Sequence, residues 1–211
     1  MRRPADILHR RLVNVTDTVR PPRQARSRDA WERVLAVGLD LLQTDGYEGL
    51  TVGEVCRRAK VSAPSIYARV DGLSGLVLAV YERGMTAVAA TEDRRLAASD
   101  GTIEDVVGAM AAVFAEHRAL LRAVISRAAA DPALLTRGAV LSRAVIDRFA
   151  AALDSVQPEQ ALTLMRAVYT ECSFRAMYGS TFWSDEDETD EAFVARLIAF
   201  ARRLADGTAA P

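Results

Sequence analysis

The sequence predicts an all-α protein, with an N-terminal three-helix domain containing a helix-turn-helix and a larger helical body, about nine helices in all. Three observations carry that prediction. Apolar residues recur at three- and four-residue spacing along most of the 211 residues, half of which are apolar. Gly and Pro are sparse, at 12 and 7, while Ala and Leu abound. The stretch Thr51–Tyr67, TVGEVCRRAKVSAPSIY, encodes two short helices joined by a tight turn. These place a flexible basic arm at residues 1–25, a helix-turn-helix domain at 26–76 and the helical body at 77–211.

The arm lacks sustained periodicity and ends in Pro21-Pro22. Its arginines, among them Arg2, Arg3, Arg10, Arg11, Arg20 and Arg23, suit either phosphate contact through counterion release or a solvated tail. From Ser27 to about Thr44, Trp31, Val34, Leu35, Gly38, Leu41 and Leu42 form one stripe, which Asp45-Gly46 ends with the residue that best accepts a left-handed cap. Thr51 and Glu54 have the spacing of a capping box, in which hydroxyl and carboxylate each satisfy a backbone N–H left free at the helix start. Val52, Val55, Cys56 and Ala59 then share one face. Ser62 is placed to cap the next helix, Pro64 is tolerable in its first turn and Ile66 points inward, which leaves Ala63, Ser65 and Tyr67 outward.

Residues 71–75 form a break, and a long helix runs from there to about Ala97 with Leu76, Val80 and Met85 facing inward. Asp100-Gly101 ends that stretch. Thr102, with Asp105 at the capping-box position, opens a helix whose inner face carries Ile103, Val106, Val107, Met110, Val113 and Phe114. Further helices are predicted at about 118–130, 133–155, 159–182 and 187–205, the second and third entered through Asp131-Pro132 and Pro158.

Charge and composition exclude several classes of function. The net charge of −1 is split between residues 1–80, with 13 Lys and Arg against 9 Asp and Glu, and residues 81–211, with 14 against 19. The basic part is the part with the helix-turn-helix. No uncharged apolar run approaches the roughly 20 residues of a membrane span, and the N-terminus lacks the apolar core of a secretory signal. Cys56 and Cys172 both fall in apolar helical patterns, so reduced buried thiols in a cytoplasm are the simpler account. With His9 and His117 the only histidines, a zinc site has little to work with. The acidic run from Ser184 to Glu191 lacks the glycine and spacing of a calcium loop and reads as a solvated entry to the last helix. No nucleophile–base constellation or phosphate loop argues for an enzyme, and no cofactor is implied.

Helix one with its Gly46-Tyr47 ending, Thr51-Val52, the turn Ala59-Lys60-Val61-Ser62 and the following Ser65-Ile66-Tyr67 resemble, over about residues 27–80, the N-terminal DNA-binding domain of the TetR family of bacterial transcriptional regulators. The resemblance implies a repressor that binds a pseudo-palindromic double-stranded DNA operator as a homodimer and is released by a small apolar or aromatic effector. Three positions depart from the family pattern. Lys60 stands where the family has Gly, which implies a slightly reshaped turn with an exposed lysine; Arg69-Val70 replaces His-Phe; and Leu73 replaces a lysine. A helical adaptor with a degenerate helix-turn-helix is the alternative that those departures keep open.

The resemblance assigns Ala63 and Ser65 to the major-groove floor and Thr51, Lys60, Tyr67 and Arg69 to phosphates, with Ser62, Arg26 and Arg28 completing the DNA-binding set. Tyr67 as core cover and Ser62 as a plain cap are the simpler readings. Leu162, Met165, Tyr169, Cys172 and Ala176 make one apolar stripe, and Phe193, Leu197, Phe200 and Leu204 another. Read alone they are core. The family arrangement makes Leu162, Met165, Cys172, Phe193, Leu197, Phe200 and Leu204 a dimer seam. Met110, Phe114, His117, Leu121, Arg166, Tyr169, Phe174, Met177 and Tyr178, with Phe182 and Trp183 beside them, are candidates to line an effector cavity in which His117, Arg166, Glu171 and Arg175 are polar anchors.

Overall fold

A computed structural model describes Arg20, residues 25–183 and residues 185–207. Ten α-helices and no strand occur among the described residues: α1 (Ala25–Thr44), α2 (Gly46–Gly49), α3 (Val52–Ala59), α4 (Ala63–Tyr67), α5 (Gly72–Ala97), α6 (Ile103–Glu116), α7 (Arg118–Ala128), α8 (Pro132–Ala150), α9 (Pro158–Tyr178) and α10 (Asp190–Gly207). The arm expected at residues 1–25 lies, apart from Arg20 and Ala25, outside the described residues. The expected count of nine is corrected by α2, a single turn between Gly46 and Gly49 that periodicity over longer windows cannot register. Two ends also differ. α8 stops at Ala150 rather than about 155, and α9 stops at Tyr178 because Gly179 takes φ 84°, a conformation that L side chains rarely adopt.

Contacts divide the chain into one compact unit reaching to Thr86 and another from Ala87 onward. In the first, α1 packs against α2 and α3. Trp31, Val34, Leu35, Leu41 and Leu42 are buried, as are Val55 and Ala59 of α3, Ile66 of α4, Val70, and Leu76 and Val80 of α5. Met85 and Cys56, expected inside, are only half-buried. A Cβ added at Gly38 would sit 2.4 Å from Cγ2 of Val80, so α1 and α5 approach at a point where only glycine fits. Gly46 takes φ 70° at the end of α1, the left-handed position its sequence context predicts.

In the second unit α6 packs on α9 and α10, and α9 also packs on α7 and α8. Val106, Val107, Met110 and Val113 of α6 meet a core completed by Leu164, Met165, Val168 and Cys172 of α9 and by Phe193, Leu197 and Ala201 of α10. Burying each of the larger side chains contributes about 1.5–3 kcal/mol. Burial pushes the Cys172 thiol up to about 12, which leaves it an apolar, protonated group. Glu92 is buried, and Arg148 pairs with its carboxylate at 3.2 Å and also with Asp93. Burial still raises the Glu92 carboxyl above its usual range, against the pull of Arg148. Thr102 caps α6 by accepting from the Asp105 N–H at 3.3 Å, while the Asp105 carboxylate accepts from the N–H of Asp100 instead of completing the box. Among the described residues no helix is long and apolar enough to cross a membrane.

Candidate nucleic-acid interface

α3 starts at Thr51, whose extended backbone lets its hydroxyl accept the N–H of Glu54 at 3.2 Å. Only this half of the predicted capping box forms. The Glu54 carboxylate accepts from Arg57 at 2.9 and 2.6 Å and from Arg58 at 2.6 Å, and the Thr51 N–H goes to the Gly49 carbonyl at 3.0 Å. Charge-assisted bonds one turn ahead outcompete a neutral backbone donor. They hold the Glu54 carboxyl at about 2, the Arg57 bond first and the Arg58 bond second. Arg58 reaches on to Asp40 and Asp45 at 3.2 and 3.3 Å, which locks α3 to the end of α1. Both arginines are therefore neutralised within the domain.

Lys60 corrects the expectation of a reshaped turn. It takes φ 54° and ψ 50° in the left-handed region, and its N–H bonds the Cys56 carbonyl, so the lysine adopts the conformation glycine would take. That conformation costs a non-glycine residue roughly 1–2 kcal/mol. The lysine is exposed and has no acidic partner among the described residues.

Ser62 stands at the N-cap of α4 in extended backbone, but no side-chain cap bond forms, contrary to the sequence expectation. Its carbonyl accepts from Ser65, through the N–H at 3.0 Å and the hydroxyl at 2.6 Å, which closes a five-residue helix too short to need the side chain. Ser62 and Ser65 are exposed and Ala63 is half-buried. Tyr67 is 49% exposed and its hydroxyl has no partner among the described residues, so it is not core cover. Thr51, Lys60, Ser62, Ser65 and Tyr67 thus lie along one exposed segment, with Ile66 alone anchoring α4 beneath it. Arg26 and Arg28 on α1 are exposed and unpaired among the described residues.

Arg69 is placed differently from the other proposed phosphate ligands. Its guanidinium donates to the Ser27 hydroxyl and, at 3.0 Å, to the Arg20 carbonyl. The Arg20 N–H returns to the Arg69 carbonyl at 2.9 Å, and the Arg20 side chain pairs with Asp71 at 3.3 Å. Arg69 therefore straps the start of the domain to the end of α4. Leu73, where the family has a lysine, is exposed. Sequence reasoning missed both Ser27 and the diversion of Glu54. The second was legible in the i+3 and i+4 spacing of Arg57 and Arg58.

Residues 34–80 match the family described as bacterial regulatory proteins, tetR family. Residues 34–80 thus form a TetR-type N-terminal domain. An uncharacterised HTH-type transcriptional regulator of Mycobacterium bovis is 31% identical over 105 residues, covering 48% of this chain and 49% of that one. The match thus spans about half the length of that curated relative. A transcriptional regulator from Rhodococcus sp. RHA1 superposes with a TM-score of 0.66 at 18% identity, over 85% of this chain and 98% of that one. A TetR-like transcriptional regulator, also from Rhodococcus sp. RHA1, superposes with a TM-score of 0.65 at 17% identity, over 91% and 100%. Identities this low carry the TetR-like fold alone, and they extend it through the body.

The body residues singled out by sequence fall into separate environments. Met165, Cys172, Phe193 and Leu197 are buried within the protomer, Met165 and Leu197 fully, so they are core and not seam. The stripe looked like an interface because core and interface share one helical period. Phe200 is exposed, and Leu162 and Leu204 are half-buried. Of the candidate effector residues, Phe114 lines a cavity of about 480 Å³ and Phe174 lines a second of about 630 Å³. Met110 and Leu121 are buried, Met177 is half-buried and Arg166 is exposed. Tyr169 stacks edge-on against Phe114 and bonds Ser142 at 2.7 Å. The His117 ring nitrogen meets the Thr91 hydroxyl at 2.9 Å, and burial lowers its pKa, reinforced by Arg94 and opposed by Glu116. Phe174, Tyr178, Phe182 and Trp183 cluster ring against ring, with Trp183 78% exposed.

Proposed function

We propose that the protein is a DNA-binding transcriptional regulator, acting as a repressor on a pseudo-palindromic operator as a homodimer in the cytoplasm and released by a small effector. The observation that carries this reading is the exposed α3–turn–α4 segment, where Lys60 and Tyr67 have no partner among the described residues although both could have been paired or covered. Lysine and tyrosine donors of this kind position a protein on phosphates. Ala63 and Ser65 are short, so base contacts are few, and DNA shape and bridging water supply part of the specificity.

A reader this small covers only a few base pairs, and two-fold pairing supplies the rest. Phe200, Tyr178, Phe182 and Trp183 support such pairing, being apolar groups that the protomer leaves exposed. Effector release follows population shift: a ligand that favours one arrangement of the body weakens operator binding, and the operator weakens ligand binding to the same extent. Selection from random-sequence duplexes followed by footprinting tests the reading. Enrichment of two inverted half-sites is expected. Enrichment of a single unrepeated motif contradicts the dimer, and no enrichment contradicts the regulator in favour of the helical adaptor.

A further inference from the structure

Hydrogen-bonded base recognition in a major groove draws chiefly on Arg, Lys, Asn, Gln, Asp and Glu, whose side chains reach the base edges. α4, Ala63–Tyr67, contains none of them. Its polar side chains are those of Ser65 and Tyr67, and Ile66 is fully buried. The Ser65 hydroxyl spends its hydrogen on the Ser62 carbonyl at 2.6 Å, so at the exposed surface it is left as an acceptor only. Tyr67 ends the helix, where its open hydroxyl suits a phosphate.

What remains of the outward surface is apolar. Pro64 is exposed and Ala63 half-buried, adjacent in the first turn, where proline removes no intrahelical bond. The base pairs present different patterns to such a surface. Guanine offers the acceptors N7 and O6, thymine its 5-methyl group, and adenine and cytosine an amino donor. An acceptor-only hydroxyl beside an apolar turn complements an A·T pair, which carries both a methyl group and an amino donor. It is mismatched to guanine, whose acceptors would lose water against Ala63 and Pro64 and gain no bond.

We propose that Ala63 and Pro64 read thymine by burying its 5-methyl group, with the Ser65 oxygen turned to an adenine amino group, so that the base pairs beneath α4 are A·T. The inference rests on the DNA-binding reading of this segment and names the chemical group that it recognises. Pro64 becomes a specificity-determining residue, where the sequence alone gives it only the role of a tolerated helix starter.

The test uses the full chain and a duplex that it enriches from a random-sequence pool. Uracil replaces thymine one position at a time, which removes the methyl group and keeps the pairing, and fluorescence anisotropy reads the affinity. Binding about fourfold weaker is expected at one or more thymines of each half-site, the value of one buried methyl group. Exchanging such a T·A pair for C·G should weaken binding further, and 5-methylcytosine in that pair should recover about the same fourfold. Pro64→Ala removes the ring and is expected to at least halve the preference for thymine over uracil while leaving affinity for the uracil duplex unchanged. A purely structural Pro64 would instead weaken both duplexes alike and keep the preference. Should Pro64→Ala fail to fold, the uracil series in the unaltered chain still decides. Indifference to uracil at every position, a half-site specified only by G·C pairs, or a preference left intact in folded Pro64→Ala overturns the proposal and leaves a DNA-binding regulator standing. A chain that enriches no sequence overturns the DNA-binding reading and this proposal with it.

Discussion

The reader and the body differ in where their unmet donors lie. In the reader, charges that are not exposed to a groove are cancelled locally: Glu54 holds Arg57 and Arg58, and Arg69 is tied to Ser27 and Arg20. Lys60 and Tyr67 are left open at the surface. In the body Arg118, Arg148, Arg175, Arg196 and Arg202 carry carboxylate partners, Arg122, Arg143, Arg166 and Arg203 stand exposed, and buried donors without a partner include Arg175 Nε and Ser173 Oγ. An open donor on the surface fits a large polyanion.

Substitutions should divide along the same line. The largest effect is expected from Met165→Ala or Leu197→Ala, which empty fully buried positions and should cost about 2–5 kcal/mol in denaturant unfolding. If these residues formed the seam instead, Phe200→Ala and Met165→Ala would both act on sedimentation-measured dimer affinity, whereas core placement predicts that of the two only Phe200→Ala acts mainly there. Next, Gly38→Ala should destabilise the reader by about 1–3 kcal/mol through the clash with Val80, and Val80→Ala in the same chain should recover part of that loss. A stability gain for Gly38→Ala alone would show that α1 and α5 are not in close contact there.

Lys60→Gly sharpens the comparison because its two effects oppose each other. Relief of the left-handed strain should raise stability by about 1 kcal/mol, while loss of the ammonium should weaken DNA binding. Equal DNA affinity in that variant would reduce Lys60 to a strained turn residue. The smallest effect concerns His117, whose folded pKa lies below its usual 6.5. On acidification the unfolded chain takes up this proton before the folded one does. The stability from neutral His117 is therefore complete above about pH 6.5 and is lost as pH falls through the window beneath it. Urea midpoints measured between about pH 7.5 and 5.5 should fall less in His117→Gln than in the unaltered chain; equal falls would remove His117 from the account.

The reader was the more legible region, and the reason is local chemistry. Its cap at Thr51, the left-handed Gly46, the inward Ile66 and the outward Tyr67 are set by neighbours within one or two turns, which a sequence displays directly. Misreadings there arose where two local partners competed, as when Arg57 and Arg58 drew Glu54 away from Thr51, or where strain was tolerated, as at Lys60. The body showed its helices but not its cavity. Apolar stripes on α9 and α10 have the same spacing whether they meet another helix of the protomer or another copy, so Met165 and Leu197 could not be assigned from periodicity. The cavity depends on Gly108, Ala111 and Ala112 being small, an absence of side chain that no motif announces, although Phe114 and Arg175 were both among the residues singled out.

The account rests most directly on the open groups of the α3–turn–α4 segment, and fluorescence anisotropy on DNA flanking the protein's own gene across a salt series measures them. The account predicts affinity that falls steeply with salt in the unaltered chain and a Lys60→Ala/Tyr67→Ala variant that stays folded, binds at least about tenfold more weakly and has a shallower salt slope by about one. Unchanged affinity and slope in that variant would contradict it.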